Sequence, residues 1–591
     1  MASRAGVFAV VWLGLAAVTV AGEVLPNGIV LPDAWPPKLD TLTREPPATP
    51  PYLVSPPDVI PIDVGRQLLV DDFLVQDTTL TRTYHRPKYH AACPVLEAKT
   101  RVDGVYKGHR GAARAAPQSD GVFYDPADRL FKMWYRGGTK PKPEGAKGNY
   151  DGYGRYACCV TSRDGIHWER PELDVVPGTN AVIVDPEGTF RCANTVWLDL
   201  DETDPARRFK MFTSTRCYKI ENDRMVTVKQ SYWIYFSPYG IHWTFSHETP
   251  PGMGDRSTAF YNPFRRVWVF SMKHGRRDIC QGARVRAYHE TRDLINGPWW
   301  PAEKEKQTLW VGADRLDPDR SDLRLRRVPE RPWDLCPSQI YCLDCVAYES
   351  LMLGAFTILR GHLVAEERRG KINEVCVGYS RDGFHWTRPD RRAFCPVSEE
   401  RGAWNFGNVQ SSAGFCLIVG DKLYFYVSGC RTQRNADPNT TGLAVLRRDG
   451  FASMDAGAEE GTLTTRPVTF RCRHCFVNVA APEGELRVEV LDADGMPIDP
   501  FTKANCGPIT ADSTLHAVAW RGAKDLSALA GKPVRFRFHL RQGRLYAFWV
   551  SAQESGASGG YVAAGGPGFT ASTDTVGTAA YEAAKRLAAP E

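Results

Sequence analysis

Asp120, Asn194, Ser257 and Asp344 share one place in a repeated pattern. Each stands five positions ahead of a residue that closes a strand: Asp125, Asp199, Asn262 and Glu349. Asp255 and Arg256 sit just before Ser257. Trp404, Asn405, Asn408 and Gln410 occupy the corresponding stretch of a fifth unit. If these stretches converge on one cavity, they bring together acids, an arginine and several amides. That set suits cleavage of an acetal bond between sugars: one carboxyl protonates the leaving oxygen, and another attacks the anomeric carbon or activates water. Their neighbours keep the two pKa values apart. Asp120 is the expected nucleophile or base, and Asp344 or Glu349 the expected acid. Asp255 would tune a pKa or hold a ring hydroxyl, and Arg256 would clamp the sugar. Asn194, Trp404, Asn408 and Gln410 are the remaining candidate contacts. Asp344 and Glu349 are five positions apart, so on a regular strand they face opposite ways unless a bulge intervenes. The second aligned level has a structural alternative, because Asp125, Asp199 and Asn262 precede or open turns that such side chains cap.

The elements that must position these residues show themselves through a repeated phrase. Ser162-Arg-Asp-Gly-Ile-His-Trp168 returns as Ser237-Pro-Tyr-Gly-Ile-His-Trp243 and Ser380-Arg-Asp-Gly-Phe-His-Trp386, with a worn copy at Arg447-Arg-Asp-Gly-Phe-Ala-Ser453. The intervals are 75, 143 and 67 residues, so one copy is missing from the middle. A unit of roughly 70 residues, repeated, is the size of a propeller blade with long loops. The expected fold is all-β, a five-bladed β-propeller over 65–458 followed by an antiparallel β-sandwich over 459–570. The strand Gln67–Val75 could close the last blade. The phrase itself is a scaffold device, since a catalytic group is not needed in every blade. The alternation in Val534–Leu540 marks a strand with one wet face. Helical periodicity is nearly absent before Ala579–Leu587, and the Gly- and Ala-rich stretch after Ser551 reads as loose. Residues 571–591 form a tail.

At 591 residues, 43% apolar and a formal charge of +6, the chain is an ordinary globular protein of more than one domain. It lacks a basic, aromatic-interleaved stretch, so nucleic acid is not an expected partner. The 16 Trp and 23 Tyr fill cores and also offer faces on which sugar rings stack. Arg4 followed by the apolar run Val7–Val20 reads as a signal peptide over 1–22. It predicts a secreted or periplasmic protein without an integral membrane span once the signal is removed. Residues 23–64 are a proline-rich lead-in. The 16 cysteines include two Cys-x-x-Cys pairs, Cys342/Cys345 and Cys472/Cys475. Their separation and strand-like context argue for buried thiols or disulfides rather than zinc; no metal and no cofactor is expected.

Six motifs carry a resemblance: Leu69-Val-Asp-Asp-Phe-Leu74, Ser119-Asp-Gly-Val-Phe-Tyr-Asp-Pro126, Phe209-Lys-Met-Phe212, Gly254-Asp-Arg-Ser-Thr258, Ala347-Tyr-Glu-Ser-Leu-Met-Leu353 and the phrase at 380–386. In these the chain resembles the secreted glycosyl hydrolase-like proteins of planctomycetes, related to the furanosidase superfamily of glycoside hydrolase families 32, 43 and 68. The resemblance implies a propeller, a following sandwich and a glycoside hydrolase acting on a poly- or oligosaccharide. It departs from family 32 where the chemistry lies. The Trp-x-Asn-Asp-Pro-Asn-Gly motif is absent, with Ser119-Asp120 its nearest positional match. Gly254-Asp-Arg256 loosely echoes the Arg-Asp-Pro motif, and Tyr348-Glu349 stands nearest to the Glu-Cys acid. Two alternatives follow: a carbohydrate-binding propeller that lacks turnover, and a propeller used as a protein-interaction platform.

Overall fold

The computed structural model describes residues 22–106, 113–140, 155–222, 224–275, 282–328, 338–432 and 438–588. The expected signal segment lies almost wholly outside them. Among the described residues no helix is long and apolar enough to cross a membrane. The chain is nearly all-β, and its longest helix is Thr578–Ala588.

Five antiparallel sheets follow one another along the sequence. Sheet I is Val122–Asp125, Leu130–Thr139, Arg155–Ser162 and Ala181–Val184; sheet II is Thr189–Leu198, Phe209–Glu221, Arg224–Ser237 and Thr244–Glu248. Sheet III is Thr258–Asn262, Val267–His274, Val285–Thr291 and Thr308–Val311. Sheet IV is Gln339–Glu349, Leu351–His362 and Lys371–Ser380, with Tyr561–Val562 added beside the first. Sheet V is Asn408–Gln410, Lys422–Cys430 and Asn439–Arg447, with Lys88–Tyr89 on its outer edge and Leu417–Val419 off the main path. Strands such as Thr189–Leu198 are buried along their whole length. They therefore show as continuous runs rather than as alternation.

First strands meet first strands. Val196 N donates to Asp120 O at 2.6 Å (sheets II and I), the Thr258 hydroxyl donates to Leu343 O (III and IV), Ser411 Oγ donates to Asp344 Oδ2 at 2.5 Å (V and IV), and Val122 N donates to Ala413 O at 3.3 Å (I and V). Trp197 and Trp268, 6.0 Å apart, join sheets II and III.

The repeated phrase caps the end of the third strand. Asp164 Oδ1 accepts from Ile166 N and His167 N, both at 2.8 Å, and Ser162 Oγ accepts from Gly165 N at 2.8 Å. Ser380, Asp382, Gly383, Phe384 and His385 repeat the pattern. Its glycine is also a packing requirement: a Cβ on Gly240 would lie 2.5 Å from Trp134, and one on Gly165 2.6 Å from the Tyr426 hydroxyl. Each contact joins a sheet to its neighbour in the ring. The missing copy stands at the end of the third strand of sheet III. There Asp293 accepts from Ile295 N at 2.7 Å and Asn296 N at 3.1 Å, and its own N–H donates to Thr291 Oγ1. The sequence has drifted, but the turn has kept its cap.

Two further antiparallel sheets enclose a second core. One holds Asp512–Ala517, His474–Ala480, Gly543–Ser551, Ala452–Ala456 and Thr81–Tyr84; the other holds Glu485–Leu491, Arg535–Arg541, Gly461–Thr465 and Val75–Thr78. Arg535–Arg541 alternates as expected, with Phe536, Phe538 and Leu540 fully buried. The N-terminal strands belong here and not to sheet V: Gln67–Leu68 pairs with Gly543–Ser551, and Val75–Thr78 with Gly461–Thr465. The outer edge of sheet V is instead taken by Lys88–Tyr89. The lead-in is structural as well, burying Leu25, Ile29, Leu31, Tyr52, Ile60 and Ile62 in the second core. The stretch after Ser551 is not loose. It returns to the five-sheet body, where Val562 pairs with Tyr348, and Phe569 and Ala580 join the large core.

A buried charge network ties the two bodies together. Arg66 pairs with Asp449 at 2.9 Å and lies 3.5 Å from Glu349; Arg448 lies 3.2 Å from Glu349 and 3.3 Å from Asp574. The side chains of all five are fully buried. Arg66 also donates to Thr514 O at 2.7 Å and stacks 4.1 Å over Trp549, both in the second unit. Asn478 donates to Asp449 and to Arg448 O. Removing one partner strands a buried charge, which costs about 3–5 kcal/mol. Arg448→Met should therefore lower the unfolding free energy by about that amount in urea denaturation. A loss under about 1 kcal/mol would show that the network does not hold the bodies together.

Candidate functional site

The segments that lead into the first strands meet at the centre of the five sheets, and Arg256 crosses that centre. One guanidinium nitrogen donates to Gln118 O. The other donates to Gln410 Oε1 at 2.7 Å and approaches Ser119 Oγ at 3.5 Å and Cys342 Sγ at 3.7 Å. One side chain from sheet III thus touches sheets I, IV and V. Its backbone is strained (φ +60°), and so are Gln118 (φ +43°) and Ser119 (φ +83°) opposite it. Non-glycine residues rarely hold such angles, and they cluster where structure is bent to a purpose. Arg286, fully buried, holds the strained peptide by donating to Arg256 O at 2.7 Å.

Asp120 and Asp344 lie close by, at the entry to sheet I and in the first strand of sheet IV, and are 1% and 2% exposed. Asp344 Oδ2 accepts from Ser411 Oγ at 2.5 Å and Ser119 Oγ at 3.2 Å; Asp120 Oδ2 accepts from Asn194 Nδ2 at 3.2 Å. Each carboxyl keeps one buried oxygen, Oδ1, without a partner. Burial pushes both acids up, Asp120 well above the ordinary carboxylate range, against the opposing pull of Asn194 and Arg256 on Asp120 and of Ser411 and Arg256 on Asp344.

Asp255 behaves oppositely. It is partly exposed, is paired to Lys273 and lies 4.0 Å from Arg216. Burial raises its pKa, but Lys273, Arg216 and Arg284 outweigh that and bring it down to about 2. Asn408 and Gln410 complete the cluster, with Gln410 Nε2 donating to Asn408 Oδ1 at 2.8 Å. Sequence reasoning missed Tyr341 and Lys371, also at this level. Lys371 Nζ donates to the Tyr341 hydroxyl at 2.8 Å. Burial raises the phenol pKa, yet Lys371 and Arg256 outweigh it and hold the phenol below its ordinary value. Tyr341 stands two positions after Gln339, in an unremarkable strand sequence, and Lys371 comes from the third strand of the sheet. Only cross-strand geometry joins them.

Two candidates lie elsewhere. Glu349 (φ +52°) is at the far end of the strand that carries Asp344, inside the charge network. Its Oε2 accepts from Arg66 N at 3.0 Å and Ser558 Oγ at 2.6 Å, so no oxygen is left for an acid's work at the centre. Trp404 is a wedge rather than a sugar platform. It packs over Gly429 and Gly442, where an added Cβ would lie 2.3 and 2.0 Å from its ring, and Tyr89 meets it edge-on at 5.2 Å. The second aligned level serves turns as expected: Asp125, Asp199 and Asn262 accept from Ala127 N, Asp201 N and Phe264 N. Cys342 and Cys345 are buried free thiols, and no metal-binding group of His, Cys, Asp or Glu occurs among the described residues.

No protein-family profile and no curated protein sequence matches the chain. Solved structures similar to it include an N-acetylgalactosamine deacetylase from F. plautii in complex with blood group B trisaccharide. It is 12% identical, with a TM-score of 0.39, over 63% of this chain and 96% of that one. A fructofuranosidase from Schwanniomyces occidentalis is 11% identical, with a TM-score of 0.35, over 76% and 98%. An exo-inulinase from Aspergillus awamori is 10% identical, with a TM-score of 0.33, over 75% and 98%. Similarity this distant leaves the chemistry to be argued from the site itself.

Two outcomes follow from this geometry. Gly442→Ala should destabilise the fold by about 1–3 kcal/mol in urea titration, because the new methyl overlaps Trp404; a neutral substitution would remove Trp404 from the packing of sheet V. The second concerns Asp255. A carboxyl held below its unfolded value of 3.8 stabilises the fold above that pH and loses the contribution as pH falls toward about 2. In Lys273→Met the carboxyl rises toward its unfolded value, so this acid-side loss shrinks and the stability profile is flatter than the wild type's. Urea midpoints between about pH 2 and about pH 5, with Asp255→Asn as control, check this. Parallel wild-type and Lys273→Met profiles would refute the pairing.

Proposed function

We propose that this protein is a secreted glycoside hydrolase of five-bladed propeller and sandwich architecture, with its saccharide site at the centre of the five sheets. One observation carries the reading. Three carboxyls from three sheets gather near one arginine, and their environments drive their pKa values apart: Lys273 brings Asp255 down to about 2 against the effect of burial, while burial pushes Asp120 and Asp344 up. A separated acid and base is what glycosidic cleavage requires. The electrostatics keep Asp344 in the role expected from sequence and move the nucleophile or base role from Asp120 to Asp255. Asp255, the accessible carboxylate, is the nucleophile or base. Asp344 is the proton donor, its hydroxyl partners Ser411 and Ser119 fixing one oxygen and leaving the other free. Asp120, hydrogen-bonded to Asn194, supports it from sheet I. Arg256 contacts only neutral acceptors, Gln118 O and Gln410 Oε1, among its close partners. Substrate would reach the proton donor as Arg256 turns from these acceptors onto the sugar.

Sugar release from a panel of plant and algal polysaccharides and aryl furanosides tests this, with Asp255→Asn, Asp344→Asn and Asp120→Asn beside the wild type. Release should fall at least about a hundredfold in Asp255→Asn and in Asp344→Asn. Release unchanged in all three would keep an enzyme and remove this site. Saccharides that raise the melting temperature without being cleaved would establish the binding-protein alternative.

A further inference from the structure

Charge at the centre of the ring is one-sided. Lys371 Nζ lies 4.2 Å from the centroid of the Tyr341 ring, and the guanidinium carbons of Arg284 and Arg256 lie 5.6 and 5.8 Å from it. The three cations come from different places: the third strand of sheet IV, the entry to the third strand of sheet III, and the entry to its first strand. Lys273 and Arg216 continue the positive rim, and both turn to Asp255. Among the described residues no carboxylate lies within ion-pair distance of Lys371, Arg284 or Arg256. Their close acceptors are neutral: the Tyr341 hydroxyl for Lys371, Gln339 Oε1 for Arg284, and Gln410 Oε1 with Gln118 O for Arg256.

Such an arrangement is costly if it stays empty. Arg256 is 7% exposed, its Nε has no partner, and a buried guanidinium without a counter-charge costs several kcal/mol. The two nearest acids form no ion pair with it, and burial pushes the pKa values of Asp120 and Asp344 up. Two groups of the site register the resulting potential. The phenol of Tyr341 and the carboxyl of Asp255 are both drawn below their ordinary values despite burial. A field that favours a phenolate and a carboxylate also favours an anion brought by a ligand.

We propose that the saccharide taken at this centre bears an anionic substituent, a carboxylate or a sulfate ester, seated over Tyr341 between Lys371, Arg284 and Arg256. This rests on the saccharide reading of the site and specifies its substrate class. A planar guanidinium pairs with two oxygens of either group, and the ammonium adds a point charge. Gln118, Gln410 and Asn408 remain to receive sugar hydroxyls. A neutral sugar would leave the three cations unmatched and would forgo the charge-assisted bonds.

Calorimetric titration of the full chain with matched pairs of probes tests it. One pair is trigalacturonate and its carboxyl-reduced trisaccharide; the other is a sulfated carrageenan tetrasaccharide and its desulfated counterpart. A charged probe should bind about tenfold to a hundredfold tighter than its neutral partner, the strength of charge-assisted hydrogen bonds. That preference should fall at least about tenfold in both Arg284→Gln and Lys371→Met, whose half-buried side chains can be replaced without opening a core. Melting temperatures of the two variants confirm folding. Which pair shows the preference tells carboxylate from sulfate. Equal binding within both pairs, no binding of either charged probe, or a preference that survives in both folded variants would overturn the inference. Charge preference without sugar release overturns the hydrolase reading alone. Release by a chain indifferent to charge overturns this inference alone.

Discussion

Arg66 and Arg448 determine how the rest of the molecule is put together. Each is fully buried, and neither could be without the carboxylates around it. The members of the network arrive from four parts of the chain: Glu349 from the end of a first strand, Asp449 and Arg448 from the turn after sheet V, Asp574 from the closing segment, and Arg66 from the N-terminal segment. Three acids face two cations, and burial pushes the pKa of Glu349 up against the pull of both arginines, while the arginines hold Asp449 and Asp574 down. A network assembled from such distant segments requires the end of sheet V, the closing segment and the second unit to be in place together. It is a specification of the whole fold more than a source of net stability.

The strand Gln339–Glu349 links this network to the candidate site. Its last residue sits among matched charges, while its third and sixth residues, Tyr341 and Asp344, sit under unmatched ones. The same chemistry is thus used in two ways along one strand. At one end every buried charge meets an opposite charge of the protein. At the other, cations are held by amides, carbonyls and a phenol, and carboxyls keep an oxygen free. Structural sites satisfy their groups, whereas functional sites leave them waiting.

Much of this was legible in the sequence because repeats expose scaffolding. The phrase at 162, 237 and 380 marked third-strand ends, and Asp164 and Asp382 cap their turns as its Asp-Gly core implied. The aligned level before each strand's end correctly gathered Asp120, Asn194 and Asp344. What failed was any inference that depended on partners distant in the chain. Glu349 departed from the Asp-Pro pattern and so resembled a catalytic acid, but the departure answers to Arg66 and Arg448, 283 and 99 positions away. Trp404 resembled a sugar platform because nothing local says that Gly429 and Gly442 make a slot for it. Gln67–Leu68 could have closed sheet V on pattern alone. The choice of Gly543–Ser551 instead lies in the packing of the second core, which holds Leu69, Phe73 and Leu74.

Alignment also could not assign roles to the acids, and the reason is physical. Asp120, Asp255 and Asp344 are the same kind of side chain at nearly the same height in the ring, so type and spacing treat them alike. Their difference comes from depth and from one lysine. Asp255 precedes its strand, stays partly exposed and meets Lys273 from the adjacent strand. Asp120 and Asp344 are buried more deeply, where hydroxyls and an amide reach them and no lysine does. The strained peptides of Gln118, Ser119 and Arg256 stand together there, and they let the Arg256 guanidinium donate to Gln118 O and Gln410 Oε1 on other sheets. Burial without a cationic partner pushes two of the carboxyls up, and one lysine brings the third down, so the separation that suits the site to acid–base chemistry is set by position and partner rather than by residue type.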